Sequence, residues 1–175
     1  MLDLSNNKLS GRIPSNIGRL QGFGKLESSQ VGGDTLYEDV QIDIKGIEYT
    51  ITYILQANTI FDLSNNNFIG EIPPSIGNLS KLRLLNLSGN QLDGQIPTSL
   101  SEIPTLEQLD LAKNNLSGKI PQELSKLTKL ASLNVSSNRL CGRIPGGTQF
   151  DTFNKTSFQR NKGLCGYPLQ LCEQT

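Results

Sequence analysis

The sequence predicts a solenoid in which short strands from successive coils stack in parallel as one sheet. Three observations predict it: a segment recurs every 24 residues, apolar and polar residues alternate at the start of each copy, and an asparagine holds a fixed place in every copy. The gapless copies begin at Phe61, Leu85, Leu109 and Leu133. A fifth copy, LDLSNNKLSGRIP, begins at Leu2, which is one period of 24 plus 35 extra residues before Phe61.

The repeated pattern, L-x-x-L-x-L-x-x-N-x-L-x-G-x-I-P, assigns a role to each position. The alternating leucines predict a strand with its apolar side chains inward. The glycine permits a tight bend, and the proline fixes an extended or helix-starting backbone. The recurring amides are expected to point inward and bond backbone groups of neighbouring coils; they are Asn66, Asn90, Asn114 and Asn138.

Each coil is expected to return along the convex side through a segment such as SIGNLSKL, with Ile76, Leu79 and Leu82 facing inward. The pattern is that of a leucine-rich-repeat solenoid of the α/β type. Its parallel sheet lies on the concave face, and its convex side is 3-10 or irregular.

Composition excludes several classes of function. The chain has 175 residues, a length that suits one domain, and its 16 Lys and Arg balance its 16 Asp and Glu. Because these charges look scattered, the sequence does not predict nucleic-acid binding. Histidine is absent and no nucleophile–base or carboxylate pair is evident, so we expect no enzyme activity. The three cysteines lack zinc-site spacing, so no metal or cofactor is predicted.

One stretch, GDTLYEDVQIDIKGIEYTITYILQ, does not fit the repeat. Residues 40–44 alternate apolar and polar side chains, as a half-buried strand does. Residues 48–55 favour a strand by propensity but also fit a short helix. We therefore divide the chain into a truncated repeat (1–23), an inserted segment (24–58), four repeats (59–146) and a C-terminal cap (147–175).

Three features resemble plant extracellular leucine-rich-repeat receptor-like proteins. The L-x-G-x-I-P variant is specific to that class, and the tail GTQFDTFNKTSFQRNKGLCGYPLQLC resembles its C-terminal cap. Such receptors interrupt their repeats before the cap with an "island domain", often containing a tyrosine, a β-rich run and Lys-Gly. Here these elements match Tyr37, EDVQIDI, Lys45 and Gly46.

The resemblance implies a cell-surface receptor without its own kinase domain, acting in defence or development. Its ectodomain would bind a peptide or protein ligand, and the island and last repeats would dock a co-receptor kinase. Full-length members are anchored in the plasma membrane. This chain contains no apolar run of the length that spans a bilayer, and its N-terminus does not read as a signal peptide.

Candidate contact residues follow from this interpretation. In the inserted segment they are Tyr37, Lys45, Tyr49 and Tyr53, since tyrosine offers a large contact area at low entropic cost. Outward positions along the sheet are Arg83, Asn86 and Ser88, then Glu107, Asp110 and Ala112, then Ser132, Asn134 and Ser136. The alternatives are an insertion that merely covers the solenoid and a polar face that is merely solvated.

Cap resemblance and an extracellular setting favour a disulfide between Cys165 and Cys172. Cys141 replaces a repeat serine or aspartate, and we expect a half-buried free thiol rather than an intermolecular bridge. Five glycosylation sequons occur, at Asn78, Asn86, Asn115, Asn134 and Asn154. Asn78 and Asn154 are the favoured acceptors, because glycans on Asn86 and Asn134 would cover the concave face.

Two other interpretations fit the repeats. One is a secreted enzyme inhibitor similar to plant polygalacturonase-inhibiting proteins, although the insertion argues against that uninterrupted array. The other is a non-functional truncated product, since the chain begins in mid-repeat. Without a preceding coil we expect an exposed apolar edge at Leu2, Leu4 and Leu9, and a weakly stable or aggregating product.

Overall fold

A computed structural model describes residues 1–20, 59–147 and 149–172, together with the backbone of residues 37–44 and 47–54. Its strands are β1 (Leu2–Asp3), β2 (Ser10–Arg12), β3 (Tyr37–Ile44), β4 (Ile47–Ile54), β5 (Thr59–Asp62), β6 (Asn67–Glu71), β7 (Leu82–Asn86), β8 (Gln91–Asp93), β9 (Gln108–Asp110), β10 (Ser117–Gly118), β11 (Ser132–Asn134), β12 (Arg139–Arg143) and β13 (Gly163–Cys165). The regular recurrence of these short strands, with 3-10 helices between them, confirms a leucine-rich-repeat solenoid.

The first sheet has the order β1-β5-β7-β9-β11, and all its strands run parallel. Leu85 pairs with Leu109, and Leu109 pairs with Leu133, one period apart. These three leucines are at most 3% exposed, so the predicted inward strand face is confirmed.

A second sheet, which the sequence analysis did not predict, follows the asparagine of each repeat. It consists of β2-β6-β8 and β10-β12-β13, and a bridge between Gln95 and Ser117 links the two parts. Each of its central strands includes a glycine with positive φ, such as Gly70 at 77° and Gly142 at 80°. That backbone conformation is accessible to glycine at little cost, which explains the fixed glycine of the repeat.

The return segments form short 3-10 helices, as expected for the convex side. Their bounds are Ile17–Arg19, Pro74–Asn78, Thr98–Glu102 and Gln122–Lys126 in the repeats, then Phe150–Thr152 and Lys155–Ser157 in the cap. Ile76, Leu79 and Leu82 are fully buried, as predicted. Adjacent returns pack closely: a β-carbon placed on Gly77 would lie 2.4 Å from the carbonyl oxygen of Ser99 in the next coil.

Strands β3 and β4 form an antiparallel hairpin outside both sheets, with Tyr37 opposite Ile54 and Ile44 opposite Ile47. The predicted strand at residues 40–44 is confirmed, and the following segment forms a strand rather than a helix. Strand β1, which precedes the hairpin in the sequence, pairs directly with β5, which follows it. The first coil therefore stacks on the second although 35 extra residues separate them in sequence.

The C-terminal segment closes the solenoid with aromatic side chains. Phe150, Phe153 and Phe158 are at most 5% exposed, and the rings of Phe150 and Phe153 meet edge to face at 5.6 Å. The backbone N–H of Val135 donates to the carbonyl of Ser157, which continues the hydrogen bonding of the first sheet. The cap thereby covers the apolar end of the last repeat.

At the other end, the expectation of an exposed apolar edge is wrong for Leu2. Leu2 is 6% exposed because its strand pairs with β5 and its side chain joins the common core. Leu4 and Leu9 are partly buried against the same core.

Candidate functional site

The inner asparagines connect each coil to its predecessor. The Oδ1 atom of Asn114 accepts from the N–H of Leu92 at 3.0 Å, and its Nδ2 donates to the carbonyl of Leu87 at 3.0 Å, both in the preceding coil. It also donates to Leu111 in its own coil. Asn66, Asn90 and Asn138 repeat this arrangement, and all four are at most 8% exposed. The predicted inward, bridging role is confirmed.

A further member of this column, which the repeat pattern did not predict, lies in the cap. Asn161 accepts from the N–H of Leu140 and donates to the carbonyls of Val135 and Phe158, each at 3.0 Å. It is 6% exposed. The signal was present in the sequence as an asparagine 23 residues after Asn138, in the segment NKGLCG.

The candidate site is the outer face of the first sheet, and its central column alternates Asp and Asn. Asp62, Asn86, Asp110 and Asn134 pair in register along β5, β7, β9 and β11. Asn86 donates to Asp62 at 3.1 Å, and Asn134 donates to Asp110 at 3.3 Å. Each amide is thus matched to a carboxylate one coil earlier.

The same side chains also close the turn that follows each strand. Their Oδ1 atoms accept from the backbone N–H two residues later, at 2.8–3.2 Å, as Asx turns do. In the first coil, hydrogen bonds from the side chain and then the backbone of Ser5 lower the pKa of Asp3. Predicted contact residues Asn86 and Asp110 are half-buried, so each combines a local structural role with a surface position.

Two predicted contact residues form an ion pair. Arg83 donates through Nε to Oε1 of Glu107 at 2.9 Å and through a terminal nitrogen to Oε2 at 2.8 Å. Their side chains remain 42% and 36% exposed. The structure therefore brings Arg83 and Glu107 together as one neutral, fork-shaped pair rather than two separate charges.

The outward assignment is wrong for Ala112, which is 3% exposed. Strand β9 ends at Asp110 and the backbone turns, so the two-residue alternation stops before Ala112. Ser88 and Ser136, at the equivalent places, are half-buried. Ser132 is exposed as expected, but it pairs with Gln108 and therefore belongs to the row beside that of Arg83 and Glu107.

The inserted candidates are placed only by their backbone. Tyr37 begins β3, Tyr49 pairs with Ile42, and Tyr53 pairs with Glu38. Lys45 lies outside the described residues. The three tyrosines consequently share one antiparallel hairpin, but their role in contacts stays a prediction.

Cysteine pairing follows the expectation for the cap. Cys165 and Cys172 are bonded, with Cα atoms 4.9 Å apart. Cys141 is a free thiol, but the expected half-burial is wrong: it is exposed, because it occupies an outward position of β12, as do the exposed residues Arg139 and Arg143.

The sequons differ in the state of the amide nitrogen that would carry a glycan. Asn86 and Asn134 use that nitrogen to bond Asp62 and Asp110. Asn78 is exposed at the end of a 3-10 helix, and Asn115 is half-buried. Asn154 is exposed and caps the helix Lys155–Ser157 through Oδ1, a bond that does not use the nitrogen. This geometry favours Asn78 and Asn154, although occupancy of any site remains a prediction.

Within the described part of the chain, no three His, Cys, Asp or Glu side chains are grouped to hold a metal ion. No helix among those residues has the length and apolar character needed to cross a bilayer.

Comparisons with known proteins agree with this architecture. Leucine rich repeat families match residues 59–116 and 1–20. Receptor-like protein 9DC3 of Solanum pimpinellifolium is 60% identical over 98% of this chain, which covers 21% of that protein. The chain thus spans about a fifth of the length of the curated relatives it matches.

Solved structures extend the likeness to the fold. The BIR2 ectodomain of Arabidopsis thaliana is 31% identical with a TM-score of 0.70, covering 97% of this chain and 70% of that one. The Arabidopsis receptor kinase HAESA, solved with the peptide hormone IDA and the co-receptor SERK1, is 30% identical with a TM-score of 0.56. That match covers 99% of this chain and 27% of HAESA. This chain belongs to the extracellular leucine-rich-repeat receptor-like proteins of plants.

Proposed function

We propose that this chain forms part of a receptor ectodomain on the extracellular side of the plant plasma membrane. In this proposal the outer face of the first sheet binds a peptide or protein ligand. The inserted segment and the last repeats dock a co-receptor kinase. The similar receptor HAESA was solved with both a peptide hormone and a co-receptor, which supports assigning both kinds of partner.

The observation that carries the docking proposal is the direct pairing of β1 with β5. Because the coils stack without the hairpin, β3 and β4 are not required to continue the first sheet. A segment that is dispensable for coil propagation is available for contact with another molecule. Its concentration of three of the chain's four tyrosines within residues 37–53 suits such a contact.

The ligand part of the proposal rests on the chemistry of the first sheet. Asp62, Asn86, Asp110 and Asn134 present carboxylate and amide groups at one level of successive strands, about 5 Å apart. Each carboxylate oxygen and amide retains hydrogen-bonding capacity beyond the bonds already described. An extended peptide lying across the strands would therefore meet a donor or acceptor at every coil.

Two substitutions in the full-length receptor test the docking role. Lys45→Glu reverses a charge and Tyr37→Ala removes an aromatic ring. We expect normal secretion and a loss of about 1–3 kcal/mol in ligand-dependent binding to the SERK1 ectodomain, as for a contact residue. Surface plasmon resonance on the secreted ectodomain measures the affinity.

Lys81→Glu is the matched control, since Lys81 is half-buried in the return segment before β7, outside both the inserted segment and the last repeats. It makes the same charge change away from the hairpin and should leave the affinity unchanged. If Lys45→Glu and Tyr37→Ala are both secreted and bind as the unmodified receptor does, the hairpin is a packing element and the docking proposal fails.

A further inference from the structure

The balanced charge of the chain conceals a strong segregation along the solenoid. Residues 1–110 contain 7 Lys and Arg and 13 Asp and Glu, a formal charge of −6. Residues 111–172 contain 9 Lys and Arg and only 2 acidic residues, Glu123 and Asp151, a formal charge of +7. The expectation of scattered charge is therefore wrong.

Part of this excess occupies one column on the second sheet. The residue after each positive-φ glycine extends across the corresponding glycine of the next coil. A β-carbon on Gly142 would lie 3.2 Å from Cγ of Lys119, and one on Gly166 would lie 3.2 Å from Cγ of Arg143. In the earlier coils the same place is taken by Arg12, Glu71 and Gln95. The column thus changes from mixed to purely basic.

A second column, formed by the residue after each inner asparagine, changes in the same way. Its members in chain order are Lys8, Asn67, Gln91, Asn115, Arg139 and Lys162. Arg139 and Arg143 occupy outward positions of the same strand, β12. We name the basic face as Lys119, Arg139, Arg143 and Lys162, all of which are exposed.

These four cations form no ion pair within the described part of the chain, where Arg83 and Glu107 do. An exposed tyrosine continues the first of the two columns. Tyr167 follows Gly166 as Arg143 follows Gly142, and it is 68% exposed. A large aromatic side chain at that degree of exposure contributes little to the core and offers an apolar surface to a partner.

We propose that the basic face, with Tyr167 at its end, binds a linear acidic polysaccharide of the polyuronate type. Lys119 and Arg143 occupy equivalent places in successive coils, as do Arg139 and Lys162, so a chain with one carboxylate per sugar can pair with cations of successive coils. The arginine guanidinium groups match carboxylates bidentately. The face of Tyr167 can stack on a sugar ring, a contact that neither a phosphatidylserine headgroup nor a simple anion supplies. The extracellular setting of the family is where such polysaccharides occur.

The test uses the full chain after enzymatic removal of N-glycans, since Asn115 precedes Arg139 in its column. Binding to immobilised polygalacturonate is measured for Lys119→Gln/Arg139→Gln/Arg143→Gln. Glutamine is chosen because Gln95 and Gln91 already occupy these columns in other coils. The control, Lys126→Gln/Lys129→Gln/Lys155→Gln, removes the same charge from exposed positions outside the second sheet.

We expect the first triple variant to bind about tenfold more weakly and the control to stay within about twofold, with binding weakened by salt. Tyr167→Leu should weaken binding to polygalacturonate but not to polyglutamate. Lys162→Gln alone serves if the triple variant does not fold, and its binding should fall measurably below that of Lys155→Gln.

Three results would overturn the proposal. The unmodified chain could fail to bind polygalacturonate at low salt, or the two triple variants could lose affinity equally, which would indicate unspecific charge attraction. Alternatively, polyglutamate or phosphatidylserine vesicles could bind more tightly than polygalacturonate. That outcome would reassign the basic face to an acidic protein or to a membrane surface.

Discussion

Asn134 and Asn138 lie four residues apart in the same repeat and have opposite environments. Asn138 is 8% exposed and bonds backbone groups of two coils. Asn134 is half-buried on the sheet face and donates to the side chain of Asp110. Because a buried amide must satisfy donor and acceptor together, the inner position admits few substitutes. The outer position is free to differ from coil to coil.

The chain itself illustrates that freedom. The inner column is asparagine at every described coil from Asn66 to Asn161, whereas the outer column contains both aspartate and asparagine. The neighbouring positions on the sheet face vary further: one row contains the Arg83–Glu107 ion pair, and another contains Ser132. A column of buried structural amides and a variable polar face thus run in parallel through the same repeats. The difference between them can be measured.

The largest effect is expected for Asn114→Ala. The substitution leaves the buried N–H of Leu92 without its partner, and an unsatisfied buried group costs about 1–3 kcal/mol. It also removes the amide bonds to the carbonyls of Leu87, Leu111 and Ala112, although Asn90 still donates to Leu87. We expect the free energy of unfolding to fall by about 3 kcal/mol. Asp110→Ala in the same repeat should cost less than about 1 kcal/mol, since Asp110 is half-buried and its bonds to Ala112 and Asn134 are only partly buried. Urea denaturation of both variants makes the comparison, and equal losses would contradict it.

An intermediate effect is expected for Asn161→Ala at the cap. Its bonds resemble those of Asn114, but the terminal coil has a neighbour on one side and can relax, so a loss of about 2 kcal/mol is expected. Hydrogen exchange should show faster exchange at Leu140 and the cap amides, while β5 and β7 stay protected. Uniform acceleration along the solenoid would instead show that the cap and repeats open together.

The smallest effect is expected for the ion pair on the sheet face. A double-mutant cycle with Arg83→Ala and Glu107→Ala should give a coupling of about 0.2–1 kcal/mol, because both side chains are more than a third exposed. High salt should reduce that coupling. A coupling above about 2 kcal/mol that persists in salt would show that Arg83 stabilises the fold, as the buried asparagines do.

Several features could be derived from sequence because they depend only on local pattern. The 24-residue period identified the strands, the inward leucines and four of the inner asparagines. It did not identify the second sheet, since no apolar–polar alternation marks segments such as SSNRLCGR. It also missed Asn161, because the cap departs from the repeat pattern around it. Ala112 was misassigned because the strand ends two residues earlier than simple alternation assumes.

By itself, the sequence determined that the chain coils, which residues face inward and where the period is broken. Those properties follow from side-chain hydrophobicity and backbone preference within one repeat. Only the tertiary structure decided which residues of different repeats become neighbours. Stacking brought Lys119 beside Gly142, Arg83 beside Glu107, and the first coil beside the second across the insertion. The physical reason is that parallel pairing places residues from different coils side by side, so surface chemistry depends on the stacking register and not on proximity in the chain.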